Sequence, residues 1–116
     1  MRALIVTNMY PSPQRPALGS FVKDQVEALE RTGAVDLDLY AFEPGGYARA
    51  AGRLRHKRGY DIVHAHFGLT IWPALAAGGR RRAVTLHGTD LAHPRSRAIT
   101  LAGLRAMDLV CAVSPR

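Results

Sequence analysis

Hydrophobic positions along the chain form five short runs separated by longer stretches of mixed polarity. Runs of this length predict strands, because a helix needs a longer stretch with an apolar residue at every third or fourth position. The second run alternates apolar and polar residues, which is typical of an edge strand with one face in water. The predicted strands are residues 2–7, 35–41, 60–65, 83–86 and 109–113.

The stretches between these runs predict helices. The first helix has apolar side chains on one face and i,i+4 charges on the other, with Ser20 as its N-cap and Gly33 just past its end. The second combines a narrow apolar stripe with many basic residues, and the third is short. The predicted helices are residues 21–32, 47–58, 71–77 and 95–107.

Strand and helix alternate along the whole chain without a hairpin signal. This alternation predicts an α/β fold, a Rossmann-like open parallel sheet of five strands with helices on both faces. With the alternating strand at one edge, the expected strand order is 2-1-3-4-5. The carboxyl ends of the strands, where such sheets bind ligands, then bring together residues 8–19, 66–68, 87–90 and Ser114.

Length, composition and cysteine content limit the number of domains and the cellular compartment. A length of 116 residues is that of one domain, and 47% hydrophobic residues can fill one core. The single cysteine, Cys111, excludes a disulfide within the chain and favours a reducing compartment. No apolar run approaches the roughly 20 residues that span a bilayer. We therefore expect a soluble, cytoplasmic protein.

The net charge of +7 favours anionic partners. Basic clusters at residues 55–58 and 80–82 both precede strands, so they should lie at the amino edge of the sheet, away from the ligand edge. We expect both clusters to be solvated surface. The alternative is that they contact the inner face of an anionic membrane peripherally. Aromatic residues are not interleaved with these charges, which disfavours nucleic-acid binding.

The segment after the fourth strand carries the candidate chemistry, with the sequence His87-Gly88-Thr89-Asp90. Gly88 lets the backbone turn sharply or approach a ligand closely. Asp90 either binds acceptor hydroxyls or caps the following helix, and the sequence leaves both open.

Two other interpretations of the histidines are disfavoured. His64 and His66 share one face of a strand, but no cysteine or carboxylate stands beside them, so a packed His64 and a loop His66 are expected instead of a metal site. Ser114 with His87 and Asp90 would suit a hydrolase triad, but the Gly-x-Ser-x-Gly elbow is missing.

Three segments in succession, residues 61–68 (DIVHAHFG), 83–90 (AVTLHGTD) and 108–114 (DLVCAVS), resemble the amino-terminal domain of family 4 (group 1) retaining glycosyltransferases. The proline-rich loop after the first strand, with Tyr10-Pro11 and Gly19-Ser20-Phe21, also resembles the corresponding loop of that family. The resemblance implies the GT-B architecture, in which two Rossmann-like domains face each other across a cleft. The amino-terminal domain mainly holds the acceptor, and the carboxyl-terminal domain mainly holds the nucleotide-sugar.

The position of these residues at the carboxyl ends of the strands and the family resemblance together predict the binding site. By resemblance, His87 is the catalytic residue that reaches the transferred sugar, and Gly19 lies near the donor phosphates. Some relatives have two glycines at that place, whereas Ser20 follows Gly19 here. No metal or cofactor is implied, and the nucleotide-sugar is a co-substrate. The predicted substrate-binding residues are Tyr10, Gly19, His66, Gly88, Thr89, Asp90 and Ser114.

The prediction for function is the acceptor-side half of a retaining glycosyltransferase, acting on a sugar or lipid-linked acceptor. The donor-binding domain is expected outside residues 1–116, so this incomplete domain should not transfer sugar by itself. The alternative is a stand-alone, non-catalytic module that binds a sugar or phosphate, or a subunit that assembles with a separate donor-binding chain.

The last predicted strand, residues 109–113, is apolar on both faces. Such a strand is normally covered on both sides, yet this one lies at an edge of the predicted sheet. We therefore expect self-association, or a covering partner, at this edge.

Overall fold

The structure is a computed structural model that describes residues 1–14, 16, 17, 19–43, 45–87 and 92–112, and of Phe21 the backbone only. Five parallel strands form one sheet in the order β2-β1-β3-β4-β5, which confirms the predicted order and the Rossmann-like α/β fold. The strands are β1 (Arg2–Thr7), β2 (Asp36–Ala41), β3 (Tyr60–His66), β4 (Gly79–Leu86) and β5 (Leu109–Ala112).

Four described α-helices and one 3₁₀ turn connect the strands. They are α1 (Ser20–Thr32), α2 (Tyr47–Leu54), the turn Gly68–Thr70, α3 (Ile71–Ala74) and α4 (Pro94–Leu104). The prediction of Ser20 as N-cap is wrong by one residue, because Ser20 is already helical and Gly19 occupies the cap in a left-handed conformation. Gly33 ends α1 as predicted, and its N–H donates to the Glu30 carbonyl over 3.2 Å.

The second helix is shorter than predicted and ends at Leu54. Leu54 is its last buried residue, so the basic residues that follow have no apolar contact to hold them in the helix. A tighter turn then forms, in which the Lys57 N–H donates to the Leu54 carbonyl over 2.9 Å. Gly59, with φ +86°, redirects the chain into β3.

The fourth strand starts before the three arginines, not after them as predicted. Gly79 pairs with Tyr60 at the start of β3, so the ladder extends over Arg80 to Arg82. Arg82 is held there by two contacts: its backbone N–H donates to the Asp108 carboxylate over 2.8 Å, and its guanidinium donates to the Ala77 carbonyl over 2.9 Å. The guanidinium thus satisfies a carbonyl beyond the end of α3.

The core consists of two apolar clusters, one on each face of the sheet. The larger cluster joins Leu4, Val63 and Val84 of the sheet to α2, α3 and α4. The smaller, called the α1 cluster below, joins Ile5 to Val22 and Val26 of α1 and to Phe67. Helices therefore cover both faces, as predicted, and of the described helices α1 covers one face by itself.

The two edges of the sheet differ in exposure. Strand β2 has no fully buried residue, in agreement with its predicted place at an edge. Strand β5 forms the other edge, and its neighbouring apolar residues Leu109 and Val110 are 58% and 44% exposed. Because neighbouring strand residues point to opposite faces, both faces of β5 expose apolar surface.

Candidate functional site

The candidate site lies at the carboxyl ends of β1, β3 and β4. His66 is the last residue of β3, and its strand neighbours are Thr7 on β1 and Thr85 on β4. His87 follows directly after β4. The expectation of His66 as a loop residue is wrong: pairing on both sides extends the ladder to this residue, which is only 2% exposed.

Three imidazoles form a cluster on the face of the sheet that α1 covers. The rings of His64 and His66 stack with centroids 4.6 Å apart, because residues two apart share one face of a strand. His66 Nδ1 lies 3.1 Å from His87 Nε2, a hydrogen bond between the two rings. His64 Nε2 is hydrogen-bonded to the Thr85 hydroxyl over 2.7 Å. The cluster therefore joins β3, β4 and the segment after β4.

Burial keeps the inner part of this cluster uncharged. It lowers the pKa of His66 to about 3, with His64 and His87 adding smaller repulsive contributions. The pKa of His64 is lowered too, by burial first and then by His87. Near neutral pH both rings act as neutral hydrogen-bonding groups. Within the described residues no group of three or more histidines, cysteines or carboxylates has the arrangement of a metal site.

Phe67 makes a strained turn directly after the buried His66. It is the one non-glycine residue with positive φ in the described part of the chain, at φ 78° and ψ 141°. A bulky residue in this region costs on the order of 1–3 kcal/mol. The turn is held because the Phe67 ring is buried and its N–H donates to the Thr85 carbonyl over 3.0 Å. The same ring stacks on His87 with centroids 4.1 Å apart.

Gly19 lies at the same edge, at the start of α1. Its φ is +65°, and a Cβ built there would collide with the Met9 carbonyl, with the carbonyl carbon only 2.6 Å away. Only glycine allows this close approach without strain. Val22, in the first turn of α1, packs in the apolar cluster that contains Phe67. Because Val22 packs with Phe67, and Phe67 stacks on His87, the start of α1 and His87 lie on the same side of the sheet.

Tyr10 lies in the loop after β1 and is half-buried against the α1 cluster. Burial raises the pKa of its phenol, and Glu27 and Glu30 of α1 add to the rise. Tyr10 also borders a surface cavity of about 200 Å³ over the ends of β1 and β2. The cavity is lined by Asn8, Tyr10, Pro11, Ser12, Ala41, Phe42 and Glu43.

The sequence analysis did not select Asn8, Glu43, Phe67 or Thr85. Their position could have identified them, because each lies at the end of a predicted strand or shortly after one. Asn8 also positions α2, because its amide Nδ2 donates to the Tyr47 hydroxyl over 2.8 Å. Four predicted site residues, Gly88, Thr89, Asp90 and Ser114, lie outside the described residues.

The model of Glycosyltransferase Family 4 matches residues 3–116. The chain belongs to glycosyltransferase family 4. The match includes all five strands of this family 4 domain except Arg2, the first residue of β1, and it includes every residue of the predicted site. It confirms the resemblance drawn from the three sequence segments. No curated protein and no solved structure matches the chain significantly. Among its described helices, none is long and apolar enough to cross a membrane.

Proposed function

We propose that this family 4 domain is the acceptor-side half of a retaining glycosyltransferase that uses a nucleotide-sugar. The observation that carries the proposal is the position of His87. It stands at the carboxyl end of β4, where open parallel sheets bind their ligands, and its ring contacts both His66 and Phe67. A ring held on two sides is suited to contact one hydroxyl group of the transferred sugar in a defined geometry.

The start of α1 supports a role for Gly19 near the donor phosphates. The helix has 13 residues, no acidic residue in its first turn and no side-chain cap hydrogen bond. The Ser20 and Val22 N–H groups already donate to the Ala17 and Gly19 carbonyls, so the support comes from the helix dipole, which favours a negative charge at this end. In this proposal the donor is held mainly by a second domain or a separate subunit, and α1 contributes to the phosphates from the acceptor side.

The cavity beside Tyr10 supports a hydroxyl-bearing acceptor. A carboxylate, Glu43, and an amide, Asn8, stand at its wall with the aromatic residues Tyr10 and Phe42. Carboxylates and amides bind sugar hydroxyls through hydrogen bonds, and aromatic rings cover the apolar faces of sugar rings. We therefore place the sugar headgroup of the acceptor, free or lipid-linked, over the ends of β1 and β2.

The basic surface of α2 suits a lipid-linked acceptor. Arg49, Arg53 and Arg55 are exposed, and Arg58 follows in the next turn. Each basic residue close to an anionic membrane contributes about 1 kcal/mol of attraction. We propose peripheral contact with the inner face of such a membrane through this helix.

The test is a transfer assay on the full-length protein with a panel of nucleotide-sugars, in which the anomeric configuration of the product is compared with that of the donor. His87→Ala should lower turnover by a factor of about 100 or more and leave the unfolding midpoint close to that of the wild type, because His87 is only half-buried. His56→Ala, at an exposed histidine beyond α2, is the matched control.

Two results would contradict the proposal. Unchanged turnover in His87→Ala would remove the proposed role of this residue. Sugar binding without transfer, with the donor-binding part present, would favour the alternative of a non-catalytic binding module.

A further inference from the structure

The hydrogen bond between His66 and His87 restricts where their protons can be. His66 Nδ1 and His87 Nε2 are 3.1 Å apart, and only one hydrogen can lie between them. One ring must donate and the other must accept. There are therefore two arrangements, and they give His87 opposite tautomers.

The other nitrogen of His66 distinguishes these two arrangements. His66 Nε2 is buried, and among the described residues it has no hydrogen-bond partner. A proton on this nitrogen would leave a buried N–H without an acceptor, which proteins avoid more strictly than an acceptor without a donor. The favoured arrangement has a bare Nε2 and the proton on Nδ1.

His66 has only one proton to place, because it is neutral. Burial holds the pKa of its ring at about 3, and the neighbouring His64 and His87 add to this effect. The stacked ring of His64 is neutral near pH 7 as well, since its pKa is also lowered by burial. A doubly protonated His66 therefore does not form in the neutral range.

We propose that His66 is a positioning residue that donates its Nδ1–H to His87 Nε2 and thereby holds neutral His87 as the Nδ1–H tautomer. The Phe67 ring stacked on His87 fixes the plane of the ring, and the hydrogen bond fixes its rotation within that plane. A histidine whose one nitrogen accepts a hydrogen bond carries its proton on the other. His87 thus carries its ring proton on Nδ1.

This inference rests on the proposed function for its consequence, since a donor at His87 Nδ1 suits an oxygen of the sugar or of the phosphate. A lone pair at the same place would suit only a hydroxyl hydrogen. The tautomer thus decides which atoms of the substrate His87 can contact. Its assignment, in contrast, needs no substrate.

The experiment measures the tautomers directly in the full-length protein with ¹⁵N-labelled imidazoles. Long-range ¹H–¹⁵N correlation spectra above pH 7.5 should show Nδ1 as the protonated nitrogen in both His66 and His87. A protonated Nε2 in His87, or rapid exchange between both tautomers, would overturn the proposal.

Variants of His66 add a functional measurement. His66→Asn keeps an N–H donor close to the position of Nδ1, and His66→Phe keeps the ring without the donor. In His66→Phe we expect exchange between tautomers at His87 and a loss of kcat on the order of tenfold, the lower end of the range for outer-shell partners of metal-ligating histidines. His66→Asn should restore the Nδ1–H tautomer and most of kcat. If His66→Phe does not fold, the spectra of the wild type and of His66→Asn still test whether His87 is held as the Nδ1–H tautomer.

The outcomes separate this inference from the proposed function. An Nδ1–H tautomer at His87 together with full activity of His87→Ala would support the positioning by His66 and contradict the role of His87 in transfer. An Nε2–H tautomer together with an inactive His87→Ala would contradict the positioning by His66 and support the role of His87 in transfer.

Discussion

The rings of Phe67 and His87 stack with centroids 4.1 Å apart, and Phe67 makes this contact from a backbone conformation with φ 78°. Position 67 thus combines a buried aromatic ring with a strained main chain. The burial of the ring opposes the strain, because filling the α1 cluster with a phenyl ring contributes several kcal/mol.

The strain at Phe67 predicts an unusual order of stability between two variants. Phe67→Ala should destabilise the protein by about 3 kcal/mol or more, through the loss of the buried ring. Phe67→Gly loses the same ring but relaxes the backbone, so it should be more stable than Phe67→Ala by about 1 kcal/mol. Urea denaturation of both variants measures the difference. A less stable Phe67→Gly, as at an ordinary strand position, would show that the backbone is not strained.

The close approach of Gly19 to Met9 predicts a second difference between matched variants. Gly19 and Gly33 have similar φ values, +65° and +69°, but a Cβ at Gly33 would meet nothing within 4 Å. Gly33→Ala should cost only the left-handed conformation, about 1 kcal/mol. Gly19→Ala must also displace the Met9 carbonyl, so we expect a loss of about 2 kcal/mol or more. Equal losses in chemical denaturation would mean that the loop after β1 adjusts freely.

The buried histidine predicts loss of stability in mild acid. The pKa of His66 is about 3 in the folded protein and near 6.5 in the unfolded chain, so between these values the unfolded chain binds more protons. The free energy of unfolding should therefore fall as pH falls below 6.5, by up to about 1.4 kcal/mol per pH unit from this residue. In His66→Phe the loss between pH 7.5 and 4.5 should be smaller by about 2.7 kcal/mol. The same pH dependence in both proteins would contradict the buried, neutral state of His66.

The basic surface of α2 predicts binding to anionic vesicles that salt abolishes. Arg49→Glu combined with Arg53→Glu should weaken co-sedimentation with anionic vesicles, because both side chains are exposed on this helix. Lys23→Glu combined with Arg31→Glu changes the net charge equally on α1 and is the control. Equal weakening by the two pairs would assign the attraction to net charge alone, and equal binding to neutral vesicles would remove the electrostatic explanation.

The exposed apolar residues of β5 predict self-association when residues 1–116 are studied alone. Leu109→Lys should shift the chain toward monomer in sedimentation velocity, because it places a charge on an open strand edge. Gln25→Lys adds the same charge on the exposed face of α1 and should leave the association unchanged. A wild-type chain that stays monomeric at high concentration would show that this edge does not associate.

The sequence by itself determined the sheet and its strand order, and with them which side chains follow the carboxyl ends of the strands. Apolar runs bounded by turn residues, and the one alternating run, are local patterns that depend on burial alone, so they could be interpreted without coordinates. The bounds were less accurate where tertiary contacts extend or end an element. Pairing with Tyr60 extended β4 back to Gly79, and the end of apolar contact at Leu54 shortened α2.

Only the tertiary structure decided how the candidate site is built. The sequence could place His64 and His66 on one face of a strand, but the register of β3 against β4 brings Thr85 beside them and directs His66 toward His87. The strained turn at Phe67 had no sequence signal, because a phenylalanine ordinarily predicts an extended or helical backbone. The burial of His66, and with it the low pKa and the placement of its proton, depends on neighbours distant along the chain, which no local pattern contains.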